Sequence, residues 1–411
     1  MNNILILTFW SYKEGLIQTY TLPYLKQISR VTTEQSCKIY LVTLEKETYK
    51  LSDKEKQQAE LLLKNDRIEL VTFTYHRFGI LSLLKWVYIL FYLLWFIVFK
   101  RVKFIHAFCT PAAAPASILA TLTRRKLVVD SYEPHAEASV ENGDWKRDSL
   151  AFKILFALEK YLSHKANFII SATESMYGYA KNKYGIDEFE NFYVKPACVD
   201  LDLFSWANVK QTELVKDFSY VGKIVCVYAG KFGGIYLDQE VFDFFKVAQE
   251  YWGDRFRVLL LTNQSIAQLQ EWADQSGFDM NALQTKFVLH KDIPDYIGLG
   301  DFGITPVKPI PTKRYCTPIK NGEYWALGLP IVSTANISDD SDIIEDRNVG
   351  AIIRSFGSKA YLEAIEKIDT MLKSEDKKSL FDRIRAIAYE YRSFDISMDI
   401  YSKIYATSEK L

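Results

Sequence analysis

The strongest constraint on the fold is an alternation of short apolar runs with longer helical patterns along nearly the whole chain. In the first half the apolar runs lie at 4–9, 38–43, 68–74, 104–107, 127–130, 168–171 and 192–195. After a polar stretch at 200–223 the alternation restarts, with runs at 225–229, 258–262, 287–290, 302–305, 331–333 and 351–353. Continuous apolar runs are typical of parallel strands that helices cover on both faces. Two such series predict two doubly wound α/β domains.

The length agrees with this division, since 411 residues correspond to two large domains or more at about 150 residues per domain. We place an N-terminal Rossmann-like domain at 1–205 and a second one at 206–385. The remainder, 386–411, is predicted to be helical and to pack back on the first domain. Ligands of open α/β sheets bind beyond the carboxyl ends of the strands. The residues that follow each strand are therefore the candidates for a functional site.

Charge and cysteine usage exclude several classes of protein. The 51 Lys and Arg residues balance 51 Asp and Glu residues, whereas a protein that mainly binds nucleic acid usually has a basic excess. The five cysteines form no CxxC pair, and no HxxxH or HExxH arrangement occurs. We therefore expect reduced thiols, no transition-metal site and a cytoplasmic protein. The N-terminus has neither the basic start nor the cleavage site of a secretory signal.

The segment 306–330 is the strongest candidate for chemistry. A Pro-rich basic loop follows a strand, and Pro318 is predicted to open a helix at its first turn. Free backbone N–H groups at such a helix start, beside Arg314 and Lys320, form an anion site that suits a diphosphate. Glu323 falls one turn further, where a carboxylate accepts hydrogen bonds from sugar hydroxyls. The alternative is an ordinary helix with a surface glutamate and lysine.

Three further sites follow predicted strands. Gly230 and Lys231 end the first strand of the second domain, where glycine permits a close backbone approach and lysine is a counter-charge for phosphate. In the first domain, Asp130, Glu133, Glu137 and His135 form a candidate acid/base or hydroxyl-binding cluster, and His106 closes the strand before them. Gly15 lies in the loop after the first strand. Each of these also fits an ordinary turn residue.

Taken in order, these residues resemble the family-four retaining glycosyltransferases of the GT-B architecture, in which two Rossmann-like domains face each other across a cleft. The resemblance covers essentially the whole chain. Its strongest part is the motif Pro318-x-Lys320-x-x-Glu323-Tyr324-x-Ala326-x-Gly328-x-Pro330. It is supported, in chain order, by Gly15, His106, the segment 130–133, Glu159, the turn at 194–200 with Phe204, and Gly230 with Lys231.

The resemblance implies transfer of a sugar, with retention of configuration, from a nucleotide diphosphate sugar to a glycan or lipid-linked acceptor, with no metal and no other cofactor. Glu323 would hold the nucleotide ribose. The other donor-binding residues it implies are Gly15, Gly230, Lys231, Arg314, Thr317, Pro318, Ile319 and Lys320. Lys231 would counter the leaving diphosphate, Glu133 and His135 would bind sugar or acceptor at the reaction centre, and His106 and Tyr132 would lie on the acceptor side.

The chain departs from the family pattern at three points. Tyr315 stands where a second acidic residue is common, and no second cation follows Lys231, so that Arg314 or Lys320 would have to supply it. Tyr132 stands at the position of the family's usual catalytic-region histidine. Two alternatives therefore stay open: a non-catalytic GT-B partner subunit, and a nucleotide-sugar epimerase.

The aromatic content of 15% is concentrated in 80–99, which is followed by Lys100, Arg101 and Lys103. The uninterrupted apolar part, 86–99, is shorter than the ~20 residues of a membrane-spanning helix. One interpretation is a sheet-covering helix that is buried nearly all round. The other is a peripheral contact of 80–103 with the inner face of the plasma membrane, with Trp86, Tyr88, Tyr92 and Trp95 at headgroup level.

Overall fold

The computed structural model describes residues 3–32, 37–75 and 80–406. The chain forms two compact units, of which unit 1 comprises Met1–Lys195 with Phe394–Leu411, and unit 2 comprises Pro196–Ser393. Each unit is built on a parallel sheet with helices between successive strands. The prediction of two doubly wound α/β domains is therefore confirmed.

Unit 1 contains a seven-stranded sheet in the order β3-β2-β1-β4-β5-β6-β7. Its strands are β1 (Asn3–Leu7), β2 (Ile39–Glu45), β3 (Ile68–Thr74), β4 (Val102–Phe108), β5 (Lys126–Tyr132), β6 (Phe168–Ser171) and β7 (Phe192–Val194). Its helices are α1 (Leu22–Val31), α2 (Asp53–Lys64), α3 (Ile80–Phe99), α4 (Thr110–Thr123), α5 (His135–Glu141), α6 (Leu150–Lys165), α7 (Ser175–Tyr184) and α16 (Phe394–Ala406). The strand order reverses between β1 and β4.

Unit 2 contains a six-stranded sheet in the order β10-β9-β8-β11-β12-β13, which reverses between β8 and β11. Its strands are β8 (Ile224–Ala229), β9 (Phe256–Leu261), β10 (Leu283–Lys286), β11 (Phe302–Thr305), β12 (Ile331–Thr334) and β13 (Gly350–Ile353). Its helices are α8 (Thr212–Asp217), α9 (Gln239–Trp252), α10 (Ile266–Ser276), α11 (Ile293–Ile297), α12 (Ile319–Ala326), α13 (Asp340–Asp346), α14 (Ser358–Ser374) and α15 (Lys377–Arg392).

The apolar character of the central strands follows from burial on both faces. Every residue of β1, β2 and β11 is buried. In unit 2 one apolar cluster joins the sheet to α9 and α14, and a second joins it to α12 and α15. Parallel strands with helices on both sides have no solvated face, and this explains why their sequences do not alternate.

The division of the chain differs from the predicted boundaries in two places. The chain passes from unit 1 to unit 2 after Lys195, not near 205, because the segment from Pro196 already packs with unit 2, where Val199 bridges Ser393. The predicted C-terminal segment 386–411 begins inside α15, which belongs to unit 2. The final helix, α16, belongs to unit 1 and packs against α1.

The predicted strand at 287–290 is wrong. The strand is β10, four residues earlier, and Phe287 and Leu289 are exposed beyond its end. β10 is the edge strand of its sheet, and of its residues only Leu283 is buried. An edge strand with one buried residue has few apolar residues, so its sequence pattern is weak. The apolar residues Phe287 and Leu289, which lie exposed beyond the strand, therefore shifted the predicted strand to 287–290.

Candidate functional site

The reversal of strand order in unit 2 places two loops side by side at the carboxyl edge of its sheet. Gly230 directly follows β8, and the segment 306–318 follows β11 and leads into α12. Tyr324 of α12 lies between the two strand ends, where its hydroxyl donates to the carbonyl of Ile304 and accepts from the N–H of Ala229, both at 3.4 Å. Ligands of open α/β sheets bind in the crevice at such a reversal.

Two lysines lie at this reversal. The Lys320 side chain lies over Gly230, so that a Cβ atom on Gly230 would come 2.7 Å from Lys320 Cε. Lys231 is exposed, and its carbonyl accepts a hydrogen bond from the Tyr228 hydroxyl at 2.6 Å. Neither lysine forms an ion pair with any residue that the structure describes. The two ammonium groups are therefore available to an anionic ligand, and glycine at position 230 is required by the close approach of Lys320.

The start of α12 adds backbone donors to these cations. Pro318 is the residue just before the helix, and no side chain caps its first turn. The first N–H groups of an uncapped helix lack intrahelical acceptors and carry a partial positive charge. The predicted helix start at Pro318 is thus displaced by one residue, and the N–H groups of Ile319 and Lys320 are the free donors at this position.

Glu323 lies one turn further along α12 and exposes 7% of its surface. Its carboxylate accepts no hydrogen bond within the described part of the chain. Burial raises the pKa of Glu323 to about 7, although the charge of Lys320 opposes the shift. Burying a carboxylate without hydrogen-bond donors costs free energy. The hydroxyl groups of a bound ligand would supply the missing donors.

A buried polar network holds α12 in place. The Thr305 hydroxyl donates to Asn321 Oδ1 at 2.6 Å, and Asn321 Nδ2 donates to Asp340 Oδ2 at 2.7 Å. Arg392, at the end of α15, forms an ion pair with the same Asp340. All four side chains are buried. The network fixes the helix that carries Lys320 and Glu323 relative to β11, α13 and α15.

Two predicted donor-binding residues contact α13 or the loop before it instead. Arg314 donates to Asp342 Oδ2 at 2.6 Å and to the Ser338 carbonyl at 2.8 Å. The hydroxyl groups of Thr317 and Ser338 lie 3.4 Å apart. Because Arg314 is neutralised by these contacts, Lys320 is the better candidate for the second cation. Sequence reasoning also missed Tyr236, whose ring lies 5.0 Å from Lys320 Nζ.

In unit 1 the structure brings His135 and Glu133 to the carboxyl edge of the sheet. Both residues follow β5 and are half-buried. His135 Nδ1 lies 3.2 Å from the hydroxyl of Thr110, which follows β4, and 2.9 Å from the Glu133 carbonyl. Glu159 Oε1 accepts from the Ala136 N–H at 3.0 Å, so that a buried glutamate of α6 holds the first turn of α5, where His135 lies. Burial raises the pKa of Glu159 to about 7.

The other predicted residues of unit 1 lie in different surroundings. His106 does not close β4, which continues to Phe108, and its side chain is fully buried. Tyr132 is also buried and is hydrogen bonded to Ser163. Gly15 is exposed at the start of the helical segment that follows β1, where an added Cβ would meet no atom within 4 Å. Both His106 and Tyr132 are therefore core residues, whereas Gly15 is open to a ligand.

A buried ionic cluster below this edge was not predicted. Lys195 Nζ lies 3.2 Å from Asp130 Oδ1 and 3.5 Å from the centre of the Tyr24 ring. His106 Nε2 donates to Asp130 Oδ2 at 3.2 Å. Although burial opposes the shift, Lys195 and His106 hold the pKa of Asp130 below its ordinary value. The cluster explains the position of Asp130, which the sequence alone grouped with Glu133 and His135.

No group of three or more His, Cys, Asp or Glu side chains within 3–32, 37–75 and 80–406 is arranged to hold a metal ion. Within the same residues no helix is long and apolar enough to cross a membrane.

Comparison with known proteins identifies the fold. No protein-family model and no curated protein matches the chain. A glycosyltransferase from Rickettsia africae ESF-5 superposes with a TM-score of 0.71 at 14% identity, covering 100% of this chain and 99% of that chain. Anabaena Alr3699/HepE in complex with UDP gives 0.71 at 14% identity, covering 100% of both chains. WaaG, a glycosyltransferase involved in lipopolysaccharide biosynthesis, gives 0.66 at 13%, covering 98% of this chain and 99% of that chain.

Together with the two Rossmann-like sheets, these similarities assign the chain to the GT-B fold of glycosyltransferases, as the sequence predicted. At such low identity the similarity establishes the fold, and the narrower resemblance to the family-four retaining enzymes stays a prediction.

Proposed function

We propose that the protein is a glycosyltransferase that moves a sugar from a nucleotide diphosphate sugar to an acceptor hydroxyl. The observation that supports this proposal is the position of Lys320 over Gly230, next in sequence to the exposed Lys231 and at the uncapped start of α12, with the donor-free carboxylate of Glu323 one turn away. HepE, which has the same fold, has been crystallised with UDP-glucose.

In this proposal the two lysines and the N–H groups at the start of α12 bind the diphosphate. As the sugar leaves, negative charge grows on the diphosphate oxygen, and fixed cations and a helix N-terminus stabilise that charge. This part of the site would do what a divalent metal does in other enzymes, so we propose that transfer needs no metal or other cofactor. Glu323 would accept hydrogen bonds from the ribose hydroxyls.

The donor site is tested by calorimetry with two ligands, UDP and inorganic pyrophosphate. Lys320→Ala should weaken both ligands by about tenfold to a hundredfold, because a lost charge-assisted hydrogen bond costs roughly 1.5–3 kcal/mol. Glu323→Ala should weaken UDP by a similar factor and leave pyrophosphate unchanged. Lys246→Ala is the matched control, since Lys246 of α9 is half-buried and pairs with Glu250 in the same helix. Equal UDP affinity in the Glu323→Ala variant and the wild type would contradict the proposal that Glu323 binds the ribose.

The reaction itself is tested with a panel of nucleotide sugars. We propose retention of configuration, with the acceptor attacking from the face that the diphosphate leaves and no covalent enzyme intermediate, so that Glu133 and His135 bind sugar or acceptor. Anomeric analysis of the product by NMR checks retention, and activity that persists in EDTA checks the proposed metal independence. Turnover without an acceptor would favour the epimerase alternative, and no nucleotide binding at millimolar concentration would favour a non-catalytic partner subunit.

We further propose a role in cell-surface glycan synthesis at the cytoplasmic face of the membrane, with a glycan or lipid-linked acceptor. WaaG, with the same fold, is described as involved in lipopolysaccharide biosynthesis. Assays with free and lipid-linked oligosaccharides distinguish the two kinds of acceptor.

A further inference from the structure

The outward face of α3 exposes a continuous stripe of large apolar side chains. They recur at helical spacing, and each exposes between 57% and 67% of its surface: Leu84, Tyr88, Phe91, Trp95 and Phe99. The Trp95 and Phe99 rings stack with their centres 4.9 Å apart. The interpretation of a helix buried nearly all round is therefore wrong for the described part of α3.

The inward face of the same helix belongs to the core. Ile89, Leu93, Phe96 and Ile97 are buried, and Phe96 packs edge-on against Tyr40 of β2. Trp86 and Tyr92, which the sequence placed at headgroup level, are half-buried and contact Phe9 and Phe73. Because one face of α3 packs on the sheet, the helix can present only its other face to a partner.

Neighbouring helices extend the exposed apolar surface. α3 packs against α4, and α4 packs against α6, so that the three helices form one layer on the sheet. α4 exposes Ile118 and Leu122, and α6 exposes Leu150 and Ile154. We call the outward faces of α3, α4 and α6 the three-helix surface. Single exposed apolar residues are ordinary, whereas a contiguous apolar patch marks a binding surface.

The charge of this surface has a single sign. The segments 80–103 and 110–126 contain no Asp or Glu, and Glu159, the one acidic residue of α6, is fully buried. The exposed lysines and arginines of these segments are Lys85, Arg101, Arg124, Lys153, Lys160 and Lys165. The neutral chain therefore presents, on one side of unit 1, apolar and aromatic groups among cations.

We infer that the three-helix surface docks on an anionic lipid bilayer, with Phe91 and Trp95 inserted at the interface and the surrounding cations paired with lipid headgroups. Tyrosine and tryptophan favour the membrane–water interface, and each nearby Lys or Arg adds about 1 kcal/mol of attraction to an anionic leaflet. An acidic protein or nucleic acid would account for the cations but not for the aromatic stripe. The inference uses no residue of the proposed donor site.

Sedimentation of the full-length protein with vesicles tests this inference. Wild type should bind vesicles of phosphatidylcholine mixed with phosphatidylglycerol about tenfold more strongly than vesicles of phosphatidylcholine alone. Phe91→Ser/Trp95→Ser should lose about tenfold in binding, and Lys85→Glu/Arg101→Glu/Lys153→Glu should lose the preference for anionic vesicles. Leu61→Ser/Leu62→Ser is the matched control, since these leucines of α2 are 70% and 73% exposed.

Thermal unfolding and UDP affinity should be the same in all three variants and in wild type, which separates this test from that of the donor site. Undiminished binding by Phe91→Ser/Trp95→Ser, or equal binding to both vesicle types, would overturn the inference. So would the absence of vesicle binding together with self-association that the same variant abolishes, because the surface would then join two copies of the chain.

Discussion

Glu323 is the residue whose chemistry depends most on its surroundings. Its carboxylate is buried in α12 beside Lys320 and has no hydrogen-bond donor in the described chain. In the folded protein its pKa is about 7 because burial penalises the charged form, whereas an unfolded glutamate has a pKa of about 4.3. The folded protein therefore binds the proton more tightly than the unfolded chain.

Because the pKa of Glu323 differs between the folded and unfolded states, the effect of Glu323→Gln on the free energy of unfolding depends on pH. Between about pH 4.5 and 7 the folded state holds more protons than the unfolded state, so this group's contribution to stability falls as pH rises. Without ligand, the variant should gain on the order of 2 kcal/mol relative to wild type between pH 5 and pH 8. Urea unfolding at both pH values measures the gain, with the exposed Glu363→Gln as control. An equal difference at both pH values would contradict the assigned environment.

Glu159 is a second buried glutamate, but unlike Glu323 its carboxylate accepts hydrogen bonds within the chain. It accepts from the Ala136 N–H and, at 2.9 Å, from the Tyr184 hydroxyl. Glu159→Ala should lower the free energy of unfolding by about 2–3 kcal/mol, since two buried donors lose their acceptor. Glu159→Gln should cost less because an amide oxygen remains. Urea unfolding tests both, with the exposed Glu190→Ala expected within about 0.5 kcal/mol of wild type.

At the scale of elements, α12 is held at both ends. Asn321 anchors its first turn to Thr305 and Asp340, and Gly328 ends it with φ +67°. Gly328 also lies against α15, where an added Cβ would come 2.5 Å from Phe381 Cα. The helix that carries Lys320 and Glu323 therefore has little freedom to shift, which is what a site for a rigid diphosphate requires.

Gly328 and Gly234 have similar positive φ angles but different surroundings. Substitutions at these two positions therefore distinguish the cost of backbone strain from the cost of a steric clash. Gly328→Ala should destabilise by about 3 kcal/mol or more, because the left-handed conformation and the clash with Phe381 add together. Gly234→Ala, at φ +62° and with no atom within 4 Å of the new Cβ, should cost only about 1 kcal/mol. Chemical denaturation gives both values, and equal losses would show that the contact with α15 is unimportant.

At the scale of the whole molecule, α16 returns to unit 1 from the far end of the chain. Tyr401 donates to Asp130 Oδ2 at 3.1 Å, and the Tyr405 hydroxyl lies 2.7 Å from His106 Nδ1. Both tyrosines are buried. They complete the ionic cluster around Asp130, so the core of unit 1 depends on residues nearly three hundred positions away.

Tyr401→Phe tests this dependence. Loss of a hydrogen bond to a buried carboxylate should cost about 1.5–3 kcal/mol and should speed amide hydrogen exchange in α16, β4 and β5. Tyr49→Phe, an exposed tyrosine of the same unit, is the control. Unchanged exchange in β4 and β5 would mean that α16 contributes little to this core.

The sequence predicted the fold because its strands are buried on both faces and therefore read as continuous apolar runs. It failed at β10, where only Leu283 is buried. The motif around α12 located Lys320 and Glu323, but not the ion pairs that occupy Arg314. Lys195 and His106 could not be interpreted from local sequence, because their partners come from α1, β5 and α16. The exposed side of α3 was equally hidden, since apolar residues occur all round that helix.

The chain passes between the units twice, and inside unit 2 its first and last segments lie beside each other, where the N–H of Val199 donates to the Arg392 carbonyl at 2.9 Å. Unit 2 is continuous in sequence, whereas unit 1 needs α16. During synthesis the first unit is therefore still incomplete when the second already has all of its strands. Asp130 can therefore gain its hydrogen bond from Tyr401 only after unit 2 has been translated, although Asp130 itself lies in the part of the chain that is translated first.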